Sequence, residues 1–180
     1  MSIKAADVKT LRDQTGAGMM DCKKALTEAN GDFEKAIEVL RKKGQKLSAK
    51  RADREAKEGV VLAKVSADGS KGIVVKLSCE TDFVAKNEDF IGLTDTFATI
   101  AIENFPASKD ALLALPYEGS TIGEKIVEHV GVIGEKVELA EYASLEAEQV
   151  EAYIHMGNKA GVLVGLNKAS ESYGEAGRNV

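Results

Sequence analysis

No stretch of this 180-residue chain approaches the roughly 20 consecutive apolar residues that span a bilayer. Its start, Met1-Ser2-Ile3-Lys4, lacks the charged-then-apolar order of a secretory leader. A membrane partner is therefore not expected, and a cytoplasmic chain is. Cysteine is scarce: Cys22 and Cys79 stand far apart in apolar settings, without the Cys-x-x-Cys spacing that zinc or redox chemistry uses, so both are expected as buried reduced thiols. Neither Gly-x-x-x-x-Gly-Lys-Ser/Thr nor Gly-x-Gly-x-x-Gly occurs. No nucleotide, cofactor or metal is expected to be held by the chain itself. Positive charge is in deficit, with 24 Lys and Arg against 29 Asp and Glu, a formal charge of -5 and a pI near 5.2. That balance argues against a protein that coats a polyanion, since phosphate binding needs concentrated Lys and Arg.

What is present is ample apolar content, 44% of residues, in a length suited to one sizeable domain or two small ones. Val8 with Leu11, then Cys22, Ala25, Leu26 and Ala29, then Phe33, Ala36, Ile37 and Leu40 fall at helical spacings. Thr15-Gly16-Ala17-Gly18 separates the first two patterns, Asn30-Gly31 ends the second, and Asp32 can cap the third. A three-helix module over residues 1–44 follows, small enough to serve as a docking unit. From Arg41 to Lys57 the chain is rich in Lys and Arg, and residues 45–57 read as a basic linker, helical or flexible.

The pattern then changes. Gly59 to Val65 and Gly72 to Cys79 are β-branched runs flanking Ala67-Asp68-Gly69-Ser70-Lys71, a hairpin. Phe90, Leu93, Phe97, Ile100 and Ala101 line one face of a helix over about 88–104, whose apolar side should cover the hairpin. Pro106 and Pro116 punctuate the next stretch around Leu112-Leu113-Leu115, before a helix over about 121–130 carrying Ile122, Ile126 and Val127. Lys136 to Tyr142 alternates like a half-buried strand, and residues 152–156 and 161–166 read as two more strands joined through Gly157-Asn158-Lys159. The expectation is an α+β fold: a mixed or antiparallel sheet with helices on one side, a core subdomain over 58–143 and the start of a second over 144–180. The last residues, from Ser170 on, could begin a helix but supply almost no apolar face, so the second sheet segment is expected to lack its cover, as in a fragment.

Two stretches are long enough to be specific. Leu11-Arg12-Asp13-Gln14-Thr15-Gly16-Ala17-Gly18-Met19-Met20-Asp21-Cys22-Lys23-Lys24-Ala25-Leu26 continues into Glu28-Ala29-Asn30-Gly31-Asp32, and Cys79-Glu80-Thr81-Asp82-Phe83-Val84-Ala85-Lys86-Asn87 follows the hairpin. Both resemble the signatures of the elongation factor Ts family, and Tyr153-Ile154-His155 and Gly161-Val162-Leu163-Val164 continue the likeness in the family's order. The resemblance implies a UBA-like N-terminal domain, the family's core domain with its second half incomplete, and further parts beyond residue 180. It also implies a translation elongation factor, not an enzyme, that binds elongation factor Tu and promotes release of GDP.

The resemblance assigns the contacts. Asp82 and Phe83, with Thr81 and Val84 beside them, match the pair that pushes into the partner's nucleotide-binding domain near its magnesium site. Val8, Leu11, Arg12, Met19 and Met20 match positions that lie against that domain, and Ile133 and His155 match further contacts. The residues themselves leave alternatives. Thr81 or Asp82 can cap a helical turn through Lys86, which places Phe83 near an exposed corner, yet an arbitrary Thr-Asp-Phe more often has its Phe in the core and its Asp only as a cap. Val8 and Leu11 have the spacing of core residues, which leaves Arg12 and Met19 as the better exposed candidates. An enzyme pairing Cys22 or Cys79 with His129 or His155 needs an electropositive opening that nothing indicates. A nucleic-acid-binding or adaptor protein, resting on the basic stretch and the three-helix module, is the alternative from another class. That stretch has no aromatic residue to stack on bases.

Overall fold

The computed structural model describes residues 3–170, and the segment from 171 on, expected above to begin a helix, lies outside them. The described residues form two compact units, one from the segment up to Arg54 with Glu124–Lys136, and one from Glu55–Gly123 with the segment that starts at Val137. In the first, helices α1 (Ala5–Thr15), α2 (Met19–Glu28) and α3 (Phe33–Arg51) are separated at the breaks that the sequence marks, while α3 runs beyond the expected end of the module. Gly16 ends α1 in the left-handed conformation and donates to the Arg12 carbonyl, while Asp32 accepts from the Lys35 N–H at 3.1 Å to cap α3. Val8, Leu11, Cys22, Ala25, Leu26 and Ala36 make the core of these three helices, with Phe33, Val39 and Leu40 partly buried against it. Ile37, expected on that face, is exposed instead. Residues 45–51 of the expected linker are the last turns of α3.

The second unit is built on strands β1 (Glu58–Val65) and β2 (Lys71–Cys79), joined by a turn in which the Ser66 and Ser70 hydroxyls both donate to Asp68. The Cys79 side of β2 leads into a single turn, α4 (Asp82–Ala85), and then α5 (Glu88–Asn104). After α6 (Lys109–Leu113) and the two-residue strands β3 (Pro116–Tyr117) and β4 (Ser120–Thr121), α7 (Ile122–Ile133) carries the chain back into the first unit. Strand β5 (Glu138–Glu146) then returns to pair with β2, and β6 (Gln149–Ile154) and β7 (Gly161–Leu166) form a second hairpin.

The sheet order is β1-β2-β5, and every strand pair among the described residues is antiparallel, so the sheet is not mixed. Alternation along β1 and β2 decides what lies on each face. Val60, Ile73, Val75 and Leu77 are buried, and Lys64, on the same face, reaches Asp95 of α5 at 2.8 Å. That face carries α5, through Phe90, Leu93 and Phe97. Val61 and Val74 point the other way, where a side chain on Gly161 of β7 would come within 2.9 Å of Val61. The β6–β7 hairpin therefore covers the second face, at a distance that only glycine allows. Strand β5 is longer than its alternation suggested because Ala143, Ser144 and Leu145 continue the ladder to Lys71 without a buried face to mark them.

Candidate functional site

The sharpest feature of the second unit is the corner after β2. The Thr81 hydroxyl accepts from the Val84 N–H at 3.4 Å and caps α4, whose backbone closes through Lys86 N–H to the Asp82 carbonyl at 3.0 Å and Asn87 N–H to the Val84 carbonyl at 3.0 Å. Asn87 then caps α5 by accepting from the Asp89 N–H at 2.8 Å. Ala85 is buried and Val84 half-buried, so one side of the turn is pinned to the unit. The opposite side carries Phe83, which is 82% exposed. A four-residue helix does not persist alone; a cap at one end and the next helix at the other hold this one.

Charge surrounds the ring. Asp82 and Lys86 pair at 2.7 Å across one helical turn, and Glu58 at the start of β1 pairs with Lys159 from the β6–β7 turn. With Glu80 and Thr81 these residues and Phe83 line an open depression of about 540 Å³. The hydrogen bond and charge of Lys86, helped by Lys159, hold the Asp82 carboxyl below its usual range, and Asp82 in turn raises Lys86. At neutral pH both are ionised. The i, i+4 pair was readable from spacing; Glu58 and Lys159, 101 residues apart, were not.

The remaining expected contacts are distributed unevenly. In the first unit Val8 and Leu11 are core, the packing alternative that their spacing left open, whereas Arg12 is exposed, Met20 is 65% exposed and Met19 45%. Ile133, the last residue of α7, is half-buried. In the second unit His155 is exposed at the end of β6, its Nδ1 3.1 Å from the Tyr153 hydroxyl, and Met156 beside it is exposed as well. Four of the expected residues, Thr81 to Val84, are brought together by one turn of chain.

Cys22 and Cys79 are fully buried thiols that donate to the Ala17 carbonyl at 3.5 Å and the Thr81 carbonyl at 3.2 Å. Among the described residues no group of three or more His, Cys, Asp and Glu could hold a metal ion, and no helix is long and apolar enough to cross a membrane. Along the basic stretch Arg41 pairs with Glu38, Lys43 with Asp21 and Lys57 with Glu55, which neutralises part of its field.

The family described as Elongation factor TS matches residues 80–180, a match that opens one residue before the Thr81 cap. A protein named Elongation factor Ts from Christiangramia forsetii is 54% identical over 99% of this chain and 64% of its own length. Proteins of the same name from Flavobacterium psychrophilum and Rhodopirellula baltica are 50% and 53% identical, over 99% and 91% of this chain and 65% and 49% of their own lengths. The chain thus spans about half to two thirds of the length of the curated relatives it matches. A family match over more than half the chain, together with identity near one residue in two that runs through both units, settles the lineage: the chain belongs to the elongation factor Ts family.

Proposed function

We propose that this chain is a guanine-nucleotide exchange factor of translation that binds elongation factor Tu and hastens release of GDP, with Asp82 and Phe83 as the wedge. The observation that carries the reading is Phe83, a large apolar ring left 82% exposed on a capped, pinned turn. Folding gains almost nothing from a ring in that place, whereas an interface gains an anchor, since buried aromatic rings dominate binding energy. The adjacent carboxylate, kept ionised by Lys86, is suited to compete for polar contacts near a magnesium ion. Loosened magnesium coordination weakens the hold on the phosphates.

This is differential binding rather than bond chemistry. The chain accelerates exchange only to the extent that it prefers nucleotide-free partner over nucleotide-bound partner. Arg12, Met19 and Met20 supply grip from the first unit, and His155 from the second, while Val8 and Leu11 act by holding α1 in shape. The test is release of labelled GDP from elongation factor Tu at excess unlabelled nucleotide, with and without the chain. Acceleration is expected, and Phe83→Ala should lower its efficiency about tenfold, the effect of about 1.4 kcal/mol. Release that ignores the chain would overturn the exchange reading; acceleration that survives Phe83→Ala would overturn the wedge.

A further inference from the structure

Glu58 and Lys159 take no part in the exchange reading above, yet they sit at the foot of Phe83. Lys159 belongs to the turn between β6 and β7, whose backbone is tied to β1 by the Val61 N–H donating to the Asn158 carbonyl at 2.8 Å. The same turn begins at His155, whose N–H donates to the Ala160 carbonyl at 2.9 Å. One short segment therefore carries a residue expected to touch the partner and, four residues on, a lysine bound beside the wedge. The charges alternate: Glu58 also favours the charged form of Lys86, and Lys159 favours the charged form of Asp82. The two pairs line the same open depression beside Phe83.

Both pairs are open to solvent, with side-chain exposures of 50% and 37% for Lys159 and Glu58 and 73% and 46% for Lys86 and Asp82. Pairs in water of this kind contribute little to stability. What such pairs can do is fix geometry: Asp82–Lys86 spans the turn of α4, and Glu58–Lys159 ties the start of β1 to the β6–β7 turn. We propose that Glu58 and Lys159 are positioning residues that brace the Asp82–Phe83 corner against the β6–β7 turn, so that the ring and His155 are presented to the partner in a fixed relation. The proposal rests on the wedge reading and deepens it.

The brace acts after encounter, when the ring must enter its slot, so its loss should slow maximal release more than it weakens binding. Lys159→Met keeps the aliphatic stem and removes the charge. In the GDP-release assay the maximal rate at saturating chain is expected to fall about threefold, within the range that an exposed charge pair contributes, with the half-saturating concentration little changed. Glu58→Gln should do the same, and Lys159→Arg should restore the rate. On a Phe83→Ala background Lys159→Met should add no further loss, because a residue that acts through the ring cannot act once the ring is gone.

Unchanged thermal midpoints would show that the fold is intact. If Phe83→Ala slows release while Lys159→Met and Glu58→Gln do not, the brace is wrong and the wedge stands. If Lys159→Met slows both backgrounds equally, the lysine contacts the partner independently and the positioning role is wrong. If Phe83→Ala has no effect, the wedge itself fails and the brace falls with it.

Discussion

Phe83 and Phe97 are 82% and 0% exposed, and the same substitution should therefore do opposite things at the two positions. Phe97 packs edge-on against Tyr117, with ring centroids 5.6 Å apart, between α5 and the sheet. Phe97→Ala is expected to cost about 3–5 kcal/mol in a denaturant titration, whereas Phe83→Ala should stay within about 0.5 kcal/mol of the parent while exchange falls. A destabilised Phe83→Ala protein would place the ring in the core and undo the wedge. At Asp68 the prediction is one of pH. Donors from the Ser66 hydroxyl, the Ser70 N–H and the Ser70 hydroxyl, at 2.6, 3.1 and 2.9 Å, hold its carboxyl at about 2 against an ordinary 3.8. Because the folded value is the lower one, the turn's contribution is complete above about 3.8 and is lost as pH falls through about 2. A carboxyl titration followed by NMR should find that midpoint, and Ser66→Ala should move it upward; a midpoint near 3.8 in the parent would mean that the turn is open in solution. The resemblance singled out Phe83 on a nine-residue motif, but the residues alone could not choose between ring-in and ring-out. That choice depends on Ala85 facing inward on a turn too short to show a period.

Elements were legible where period and punctuation agreed. Helix α5 runs over the residues that its apolar spacing marks, and the hairpin β1–β2 follows from two β-branched runs around a Gly-containing turn. What spacing could not convey was the second cover of the sheet, because Val61 and Val74 look the same whether they face a helix, a hairpin or water. Glycines inside helices carry the same ambiguity, and two of them should respond oppositely to alanine. Gly92 in α5 has open space where a Cβ would stand, so Gly92→Ala should raise stability by about 0.5–1 kcal/mol through helix propensity. At Gly44 in α3 a Cβ would lie 2.9 Å from the Val127 carbonyl oxygen of α7, and across the crossing Gly131 meets the Gly44 backbone equally closely. Gly44→Ala must push the two helices apart and should cost about 1–3 kcal/mol. Thermal unfolding of the two single variants reads the signs; a stabilising Gly44→Ala would mean that α3 and α7 do not cross in contact.

For the whole molecule, the division into units was hidden from sequence reading because α7 belongs to the first unit while the strands on either side of it belong to the second. Local periodicity can announce a helix, but not that a helix 70 or more residues away will close over α3, nor that Lys136 will donate to the Ala52 and Arg54 carbonyls at 3.0 Å each. Function at this scale is a thermodynamic statement and can be tested without reference to any one residue. If the chain hastens GDP release by preferring nucleotide-free elongation factor Tu, the factor by which it weakens the partner's hold on GDP must equal the factor by which GDP weakens the partner's hold on the chain. Calorimetric titration of the chain into nucleotide-free and GDP-bound partner yields one ratio, and GDP affinity with and without saturating chain yields the other. Equal ratios well above one are expected, and Phe83→Ala should shrink both together. If the wedge works through the magnesium site, both ratios should also shrink toward one when magnesium is chelated, the partner's hold on GDP having already been loosened. A chain that binds the two partner states equally, however tightly, shifts nothing, and its exchange role would have to be abandoned even with the fold and the family intact.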